Sequence, residues 1–187
     1  MAIAGDRIDN PVTGTTITFL KTARDTDGEL LQMDYLLRPH ARKGYKDIHV
    51  HPYQEERITL FGGTLTYVLD GTDHEATAGQ VVSLPAPHVH ALRNEHGEEL
   101  HMLVEFRPAL DMETFLETMA GLAREGKVNA AGNPNLLQLA VIGREFRKEA
   151  YSANVPVGLQ RVIVPLLAAI GRAVGYRARY PRFSSSA

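Results

Sequence analysis

Short apolar segments separated by Gly and Pro corners run through residues 15–107 and limit the folds open to this chain. Residues 15–20 are β-branched and aromatic, and residues 30–38 alternate around four apolar side chains. Similar segments occupy residues 56–61, 64–69, 81–83, 88–93 and 100–107, and Asp70-Gly71 is a hairpin signal. Many short strands with such corners predict an antiparallel β-sandwich or a small barrel, which can hold one small ligand in its mouth.

Residues 44–63 place two imidazoles and a carboxylate close together. His49 and His51 are two residues apart, so on an extended strand both side chains point to the same face. Pro52 would break that strand, and a short turn would then return Glu56 on the neighbouring strand, facing the same side. Two histidines and one carboxylate on one face are a ligand set that suits a first-row transition metal.

Residues 79–94 would bring a third imidazole, His90, from a later strand. Together the two segments resemble the paired motifs of the cupin superfamily. The first motif is filled by Gly44, His49, His51, Glu56 and Gly63, with a Gly-to-His gap one residue shorter than is usual. The second is filled by Gly79, Pro85, His90 and Asn94, while Pro87 stands where the family has a glycine. The resemblance implies a small antiparallel, jelly-roll-like β-barrel, so the protein is expected to be mainly β.

The resemblance also implies a metal site. The family's ligands fall on His49, His51, Glu56 and His90. Glu56 is preferred to Glu55 because only Glu56 keeps the family spacing to Gly63.

Three further side chains are candidates to line a pocket. Met33 and Tyr35 could face the lumen, although packing in the core is the favoured role for both. His88 shares a strand face with His90 and could line the pocket or lie on its solvated rim.

After the barrel the hydrophobic period changes from two to about 3.6, which indicates helices. Residues 1–110 are therefore predicted to form the barrel, and residues 111–187 a helical extension. Helices are expected over residues 111–125, 134–148 and 156–174, with Asp111 as a capping residue. We expect the third helix to pack its apolar face on the barrel or on a second subunit, which predicts a homodimer.

Charge is distributed unevenly along the chain. Residues 150–187 contain five arginines and no acidic residue, although the whole chain carries a net charge of −2. A basic amphipathic helix can also lie on an anionic membrane, so contact with a membrane surface is the alternative for the third helix. The net charge and the lack of a helix-turn-helix segment argue against binding to nucleic acid.

The chain contains no cysteine, which excludes disulfides, thiolate zinc sites and a cysteine nucleophile. The first residues include two acids and form no apolar signal sequence, so we expect a cytoplasmic protein.

Three histidines and a glutamate would suit Fe, Mn, Ni, Co or Zn and leave positions open for a small-molecule substrate. The sequence therefore indicates a metal-dependent enzyme in which Glu56 is also catalytic, and dioxygenase-type oxidation is the favoured reaction. The alternatives are an isomerase, lyase or cyclase that uses the metal as a Lewis acid, and a non-catalytic cupin that binds or senses a small molecule.

Overall fold

The computed structural model describes residues 2–41 and 48–184 of the chain. Its strands are β1 (Arg7–Asn10), β2 (Thr15–Lys21), β3 (Leu31–Leu37), β4 (His49–Val50), β5 (Glu55–Gly62), β6 (Thr64–Leu69), β7 (Thr72–Thr77), β8 (Val81–Leu84), β9 (Val89–Arg93), β10 (Leu100–Arg107) and β11 (Tyr151–Ser152). Its helices are α1 (Met112–Arg124), α2 (Leu136–Glu145) and α3 (Val157–Ala173). The protein is mainly β, as the sequence predicts. Gly44 of the first motif lies outside the described residues.

The strands form two antiparallel sheets. One has the order β1-β2-β3-β10-β5-β8, and the other has the order β11-β4-β9-β6-β7. The predicted hairpin at Asp70-Gly71 is confirmed, because Leu69 pairs with Thr72 across it. The sequence pattern does not predict β7, in which only Ala76 is buried and apolar side chains therefore do not alternate. Nor does it predict β1 and β11, which are too short to show a period.

The core lies between the sheets and extends to α1. Along β3 the buried side chains alternate with half-buried ones. The buried ones are Leu31, Met33, Tyr35 and Leu37, and the half-buried ones are Gln32, Asp34 and Leu36. The buried side chains of β3 join one cluster with residues of both sheets and with Met112 and Ala120 of α1. Each aliphatic side chain removed from water in this way contributes about 1.5–3 kcal/mol to stability.

The turn between β5 and β6 requires a glycine. Gly63 adopts φ +78°, a left-handed conformation that other residues rarely take. A Cβ at this position would also lie 2.6 Å from the carbonyl oxygen of Glu99.

The helices begin and end close to the predicted residues, with two corrections. Asp111 occupies the N-cap position of α1, as predicted, but its carboxylate makes no capping hydrogen bond and instead binds Arg179. The second helix ends at Glu145, earlier than predicted, because the chain turns after Phe146, which is buried in a separate core between α2 and α3.

The two last helices approach closely at Gly171 of α3. A Cβ there would lie 2.8 Å from the carbonyl oxygen of Leu137 and 2.7 Å from a methyl group of Val141, both on α2. Only Ala168 and Gly171 of α3 are buried, and its large apolar side chains are largely exposed. The apolar face of α3 therefore does not pack on the barrel.

The segment between α2 and α3 returns to the barrel. Tyr151 and Ser152 of β11 pair with Val50 and His49 of β4, and the N–H of Ala153 donates to the carbonyl oxygen of Ile48. The helical extension thus supplies an edge strand to the sheet that carries His49.

Candidate metal centre

Three imidazoles and one carboxylate meet in the interior between the two sheets. They belong to His49, His51, Glu56 and His90, and one potential ligand atom from each lies within 4.8 Å of all the others. The structure therefore brings together the four residues that the sequence picks out.

The register of the strands explains how the histidines meet. His49 of β4 lies opposite His90 of β9, and their ring centroids are 4.5 Å apart. His51 follows two residues after His49, and these two rings are 4.9 Å apart. The predicted common face of His49 and His51 is thus observed.

Glu56 arrives by a different route from the one expected. The sequence suggested that it lies on the strand next to His49, but β4 pairs with β9 and β11, whereas β5 belongs to the other sheet. The turn after His51 therefore crosses from one sheet to the other. Glu56 then faces the histidines across the interior, where its Oε2 lies 3.2 Å from Nε2 of His90 and 3.7 Å from Nε2 of His51.

Two backbone carbonyls fix the orientation of two of the imidazoles. Nδ1 of His51 donates a hydrogen bond to the carbonyl oxygen of Glu149 at 2.5 Å, and Nδ1 of His90 donates to that of His88 at 3.0 Å. A carbonyl oxygen can only accept, so both Nδ1 atoms carry a proton and the neutral rings present an Nε2 lone pair. Outer contacts of this kind set the orientation and basicity of histidines that bind metals.

Glu149 was not among the predicted residues. It is about 100 residues from His51 in the sequence and acts through its backbone, so no side-chain pattern marks it.

The site contains buried polar atoms that lack partners. The residues His51, Glu56 and His90 are at most 4% exposed. Although Nε2 of His90 and Oε2 of Glu56 are close, they are not aligned for a hydrogen bond, and neither has another partner among the described residues. Leaving such a group unpaired costs about 1–3 kcal/mol, and more when it is charged. A cation bound between these atoms would satisfy both, so the donor set fits a divalent metal.

The ionisation of the site also fits a cation. Burial lowers the pKa of His51 to about 4, with a further contribution from neighbouring His49. Burial opposes ionisation of Glu56, but its contact with His90 outweighs this and lowers the pKa of the carboxyl below its ordinary value. Burial likewise opposes protonation of His90, but the Glu56 carboxylate raises the pKa of His90 overall. A metal would therefore find Glu56 ionised and His51 neutral. It would compete with a proton for Nε2 of His90, because the Glu56 carboxylate raises the pKa of that imidazole.

The candidate pocket residues lie outside the cluster. Met33 is fully buried in the core, and Tyr35 packs in the same core. The side chain of His88 is 46% exposed and binds the carboxylate of Asp70. Only the backbone carbonyl oxygen of His88 contacts the site, where it accepts a hydrogen bond from His90. Glu55 is also outside, where it accepts a hydrogen bond from Ser83.

Residues 36–106, which include all four residues of the cluster, match the family described as "Cupin domain". This part of the chain belongs to the cupin superfamily, and the predicted resemblance is confirmed. No curated protein matches the chain in sequence.

Solved structures with a similar fold include three named proteins. KdgF from Halomonas sp. is 14% identical, and the alignment covers 58% of this chain and 90% of that one with a TM-score of 0.47. A predicted oxalate decarboxylase from Thermotoga maritima is 20% identical, with 57% and 93% covered and a TM-score of 0.48. The polyketide cyclase RemF from Streptomyces resistomycificus is 21% identical, with 50% and 65% covered and a TM-score of 0.44.

Proposed function

We propose that His49, His51, Glu56 and His90 bind one divalent transition metal and that the protein is a metal-dependent enzyme acting on a small organic molecule. The observation that carries this proposal is the pair of unpartnered buried atoms, Nε2 of His90 and Oε2 of Glu56, beside two further imidazoles. Iron, manganese, nickel, cobalt and zinc all accept such ligands.

When bound, such an ion would supply Lewis acidity or, if it is redox-active, reactivity towards O₂. Four protein ligands leave positions open on a six-coordinate ion, which suits a substrate that offers two oxygen atoms. We favour a dioxygenase-type oxidation. A cytoplasmic location, with which the absence of cysteine agrees, is part of this proposal.

The surrounding residues have separate roles in this proposal. The carbonyls of His88 and Glu149 hold the two imidazoles in the tautomer that presents Nε2 to the cluster. The ring of Phe106, 5.1 Å from that of His51, shields this side of the site from water. Glu56 supplies the negative charge of the ligand set, because its contact with His90 lowers the pKa of the carboxyl and keeps it ionised.

The metal is tested first. Protein stripped with a chelator and reloaded with Fe, Mn, Ni, Co or Zn should retain about one ion per chain by elemental analysis, since the four ligands form one site. His90→Ala should lose most of it. His101→Ala is the matched control, because His101 is half-exposed, pairs with Asp34 and lies outside the cluster. Equal metal content in the two variants would contradict the assignment.

The reaction is tested with diketone, enediol, catechol and flavonol-like compounds, using the iron and zinc forms in air and under argon. Oxygen uptake with iron that is absent with zinc and abolished by Glu56→Ala supports dioxygenase chemistry. Equal turnover with zinc under argon would replace it with isomerase or lyase chemistry. A ligand that stays bound and unconverted under every condition would indicate a binding protein.

A further inference from the structure

An exposed apolar stripe runs along α3. Apart from Val157, its first residue, this helix has five large aliphatic side chains that are between 39% and 63% exposed, and Val174 directly after the helix makes six: Leu159, Val162, Ile163, Leu166, Ile170 and Val174. At about 100° per residue they fall within one sector of about 120°. The opposite side of the helix carries Ala168 and Gly171, which are buried. An apolar surface of this kind on a folded protein marks a contact with another molecule.

The charge around the stripe indicates the kind of molecule. Residues 126–187 contain nine basic side chains and two acidic ones, whereas residues 1–125 contain 11 basic and 20 acidic. On α3 itself, Arg161 and Arg172 lie to one side of the stripe, about 80–100° from its edge and next to buried Ala168, and the helix has no acidic residue. The extension is thus a positively charged element with an apolar outer face.

Part of this charge has no ion-pair partner among the residues that the structure describes. Arg172, Arg179 and Arg182 make ion pairs with Glu145, Asp111 and Glu125. Among the described residues no carboxylate lies within ion-pair distance of Arg161 or Arg177, which remain exposed. A surface depression of about 420 Å³ at the end of α3 is lined by Arg172, Arg177 and Arg179, with Glu145 as its acidic residue. Such a depression can accept an anionic headgroup.

A second copy of the same helix is a poorer match for this surface. It would bring the same arginines into the contact, and α3 and the residues after it offer no acid to pair with them. A lipid surface instead accepts the aliphatic side chains and the positive charge together, because acyl chains lie beneath anionic phosphates.

We propose that α3 lies on the surface of an anionic phospholipid bilayer, with its apolar stripe at the acyl boundary and the flanking arginines at the phosphates. In the part of the chain that the structure describes, no helix is long and apolar enough to cross a membrane. The 17 residues of α3 span about 25 Å, and Pro165 lies within them. The helix would therefore lie along the interface, and the barrel would be held beside the membrane.

Flotation of the full-length protein with vesicles tests this proposal. The protein should float with vesicles of phosphatidylcholine mixed with phosphatidylglycerol, bind little to phosphatidylcholine alone, and dissociate at high salt. Val162→Asp should weaken binding by about tenfold or more, because it puts a charge into the acyl boundary. Val81→Asp is the matched control, since Val81 is a valine 50% exposed on the barrel. Arg161→Gln should weaken binding about fivefold through the loss of one positive charge near the headgroups.

Equal flotation with the two kinds of vesicle would overturn the proposal, because charge would then have no part in binding. Failure to float with anionic vesicles would also overturn it. In that case a dimer that Val162→Asp converts to a monomer would assign the stripe to a second copy. Val162 is 62% exposed, so its replacement leaves no buried charge, and circular dichroism should show the wild-type fold.

Discussion

The acid stability of the metal-free protein should depend on His51. Burial keeps this imidazole neutral in the folded state, with a pKa of about 4, whereas in the unfolded chain it takes up a proton near its ordinary value of 6.5. Between these two values the unfolded state binds the extra proton. The free energy of unfolding should therefore rise with pH across this window and fall as the solution is acidified.

The size of the effect follows from the difference between the two pKa values. One pKa unit corresponds to about 1.4 kcal/mol, so acidification from pH 7 to pH 4.5 should cost roughly 2 kcal/mol through His51 alone. Of the other two buried groups, Glu56 titrates below this range and His90 affects only its upper end, above pH 6.5. The pKa of Glu56 is lowered below 4.5, so its stabilising contribution is lost only in more acidic solution. The pKa of His90 is raised above 6.5, so its contribution is lost only as the pH rises above that value.

Urea unfolding of chelator-treated protein at several pH values measures this difference. His51→Gln lacks the titrating ring and should lose roughly 2 kcal/mol less than the wild type between pH 7 and pH 4.5. His101→Gln, which changes a half-exposed histidine outside the cluster, should follow the wild type. If the wild type and His51→Gln lose the same free energy over this range, the burial argument for His51 is wrong.

Three other predictions concern the packing that supports the site. Gly171→Ala should destabilise the protein by about 1–3 kcal/mol in urea unfolding, because the added Cβ would clash with the α2 backbone. Gly158→Ala is the control: its Cβ has no neighbour, so this variant should be as stable as the wild type or more stable. Gly63→Ala should lower the free energy of unfolding more than Gly71→Ala. Both glycines have positive φ, but only a Cβ at residue 63 would clash with a carbonyl oxygen, so the difference between the urea midpoints of the two variants measures the clash. Asn94→Ala should lower the free energy of unfolding by about 2–4 kcal/mol, since three carbonyl oxygens lose the donor that they share, and a thermal midpoint unchanged from wild type would contradict this.

The helical extension is connected to the candidate metal centre by its backbone. The carbonyl of Glu149 holds His51, and the next residues pair with the strand of His49. A change that loosens α2 from α3, such as Gly171→Ala, should therefore weaken metal retention as well as stability. Such a linkage depends on contacts between residues that are far apart in the sequence.

The sequence alone determined the strands with clear alternation, the hairpin at Asp70-Gly71, the helices and the four residues of the candidate metal centre. These features depend on local spacing: a period of two places His49 and His51 on one face, and the spacing of Glu56 and His90 follows the two cupin motifs. Asn94, which fills the second of these motifs, closes the end of a strand by donating to backbone carbonyls.

Only the tertiary structure decided which sheet each ligand comes from and what surrounds it. The local pattern cannot show that the chain crosses to the other sheet after His51, so Glu56 was expected on a neighbouring strand. The carbonyl of Glu149 and the two-residue strand β11 carry no side-chain signal, because their role lies in backbone hydrogen bonds formed across a long sequence separation. The exposure of α3 could not be predicted for a similar reason. An amphipathic period predicts that a helix has an apolar face, but it does not show what covers that face. In the structure, α3 packs on α2 and buries only its small residues Ala168 and Gly171.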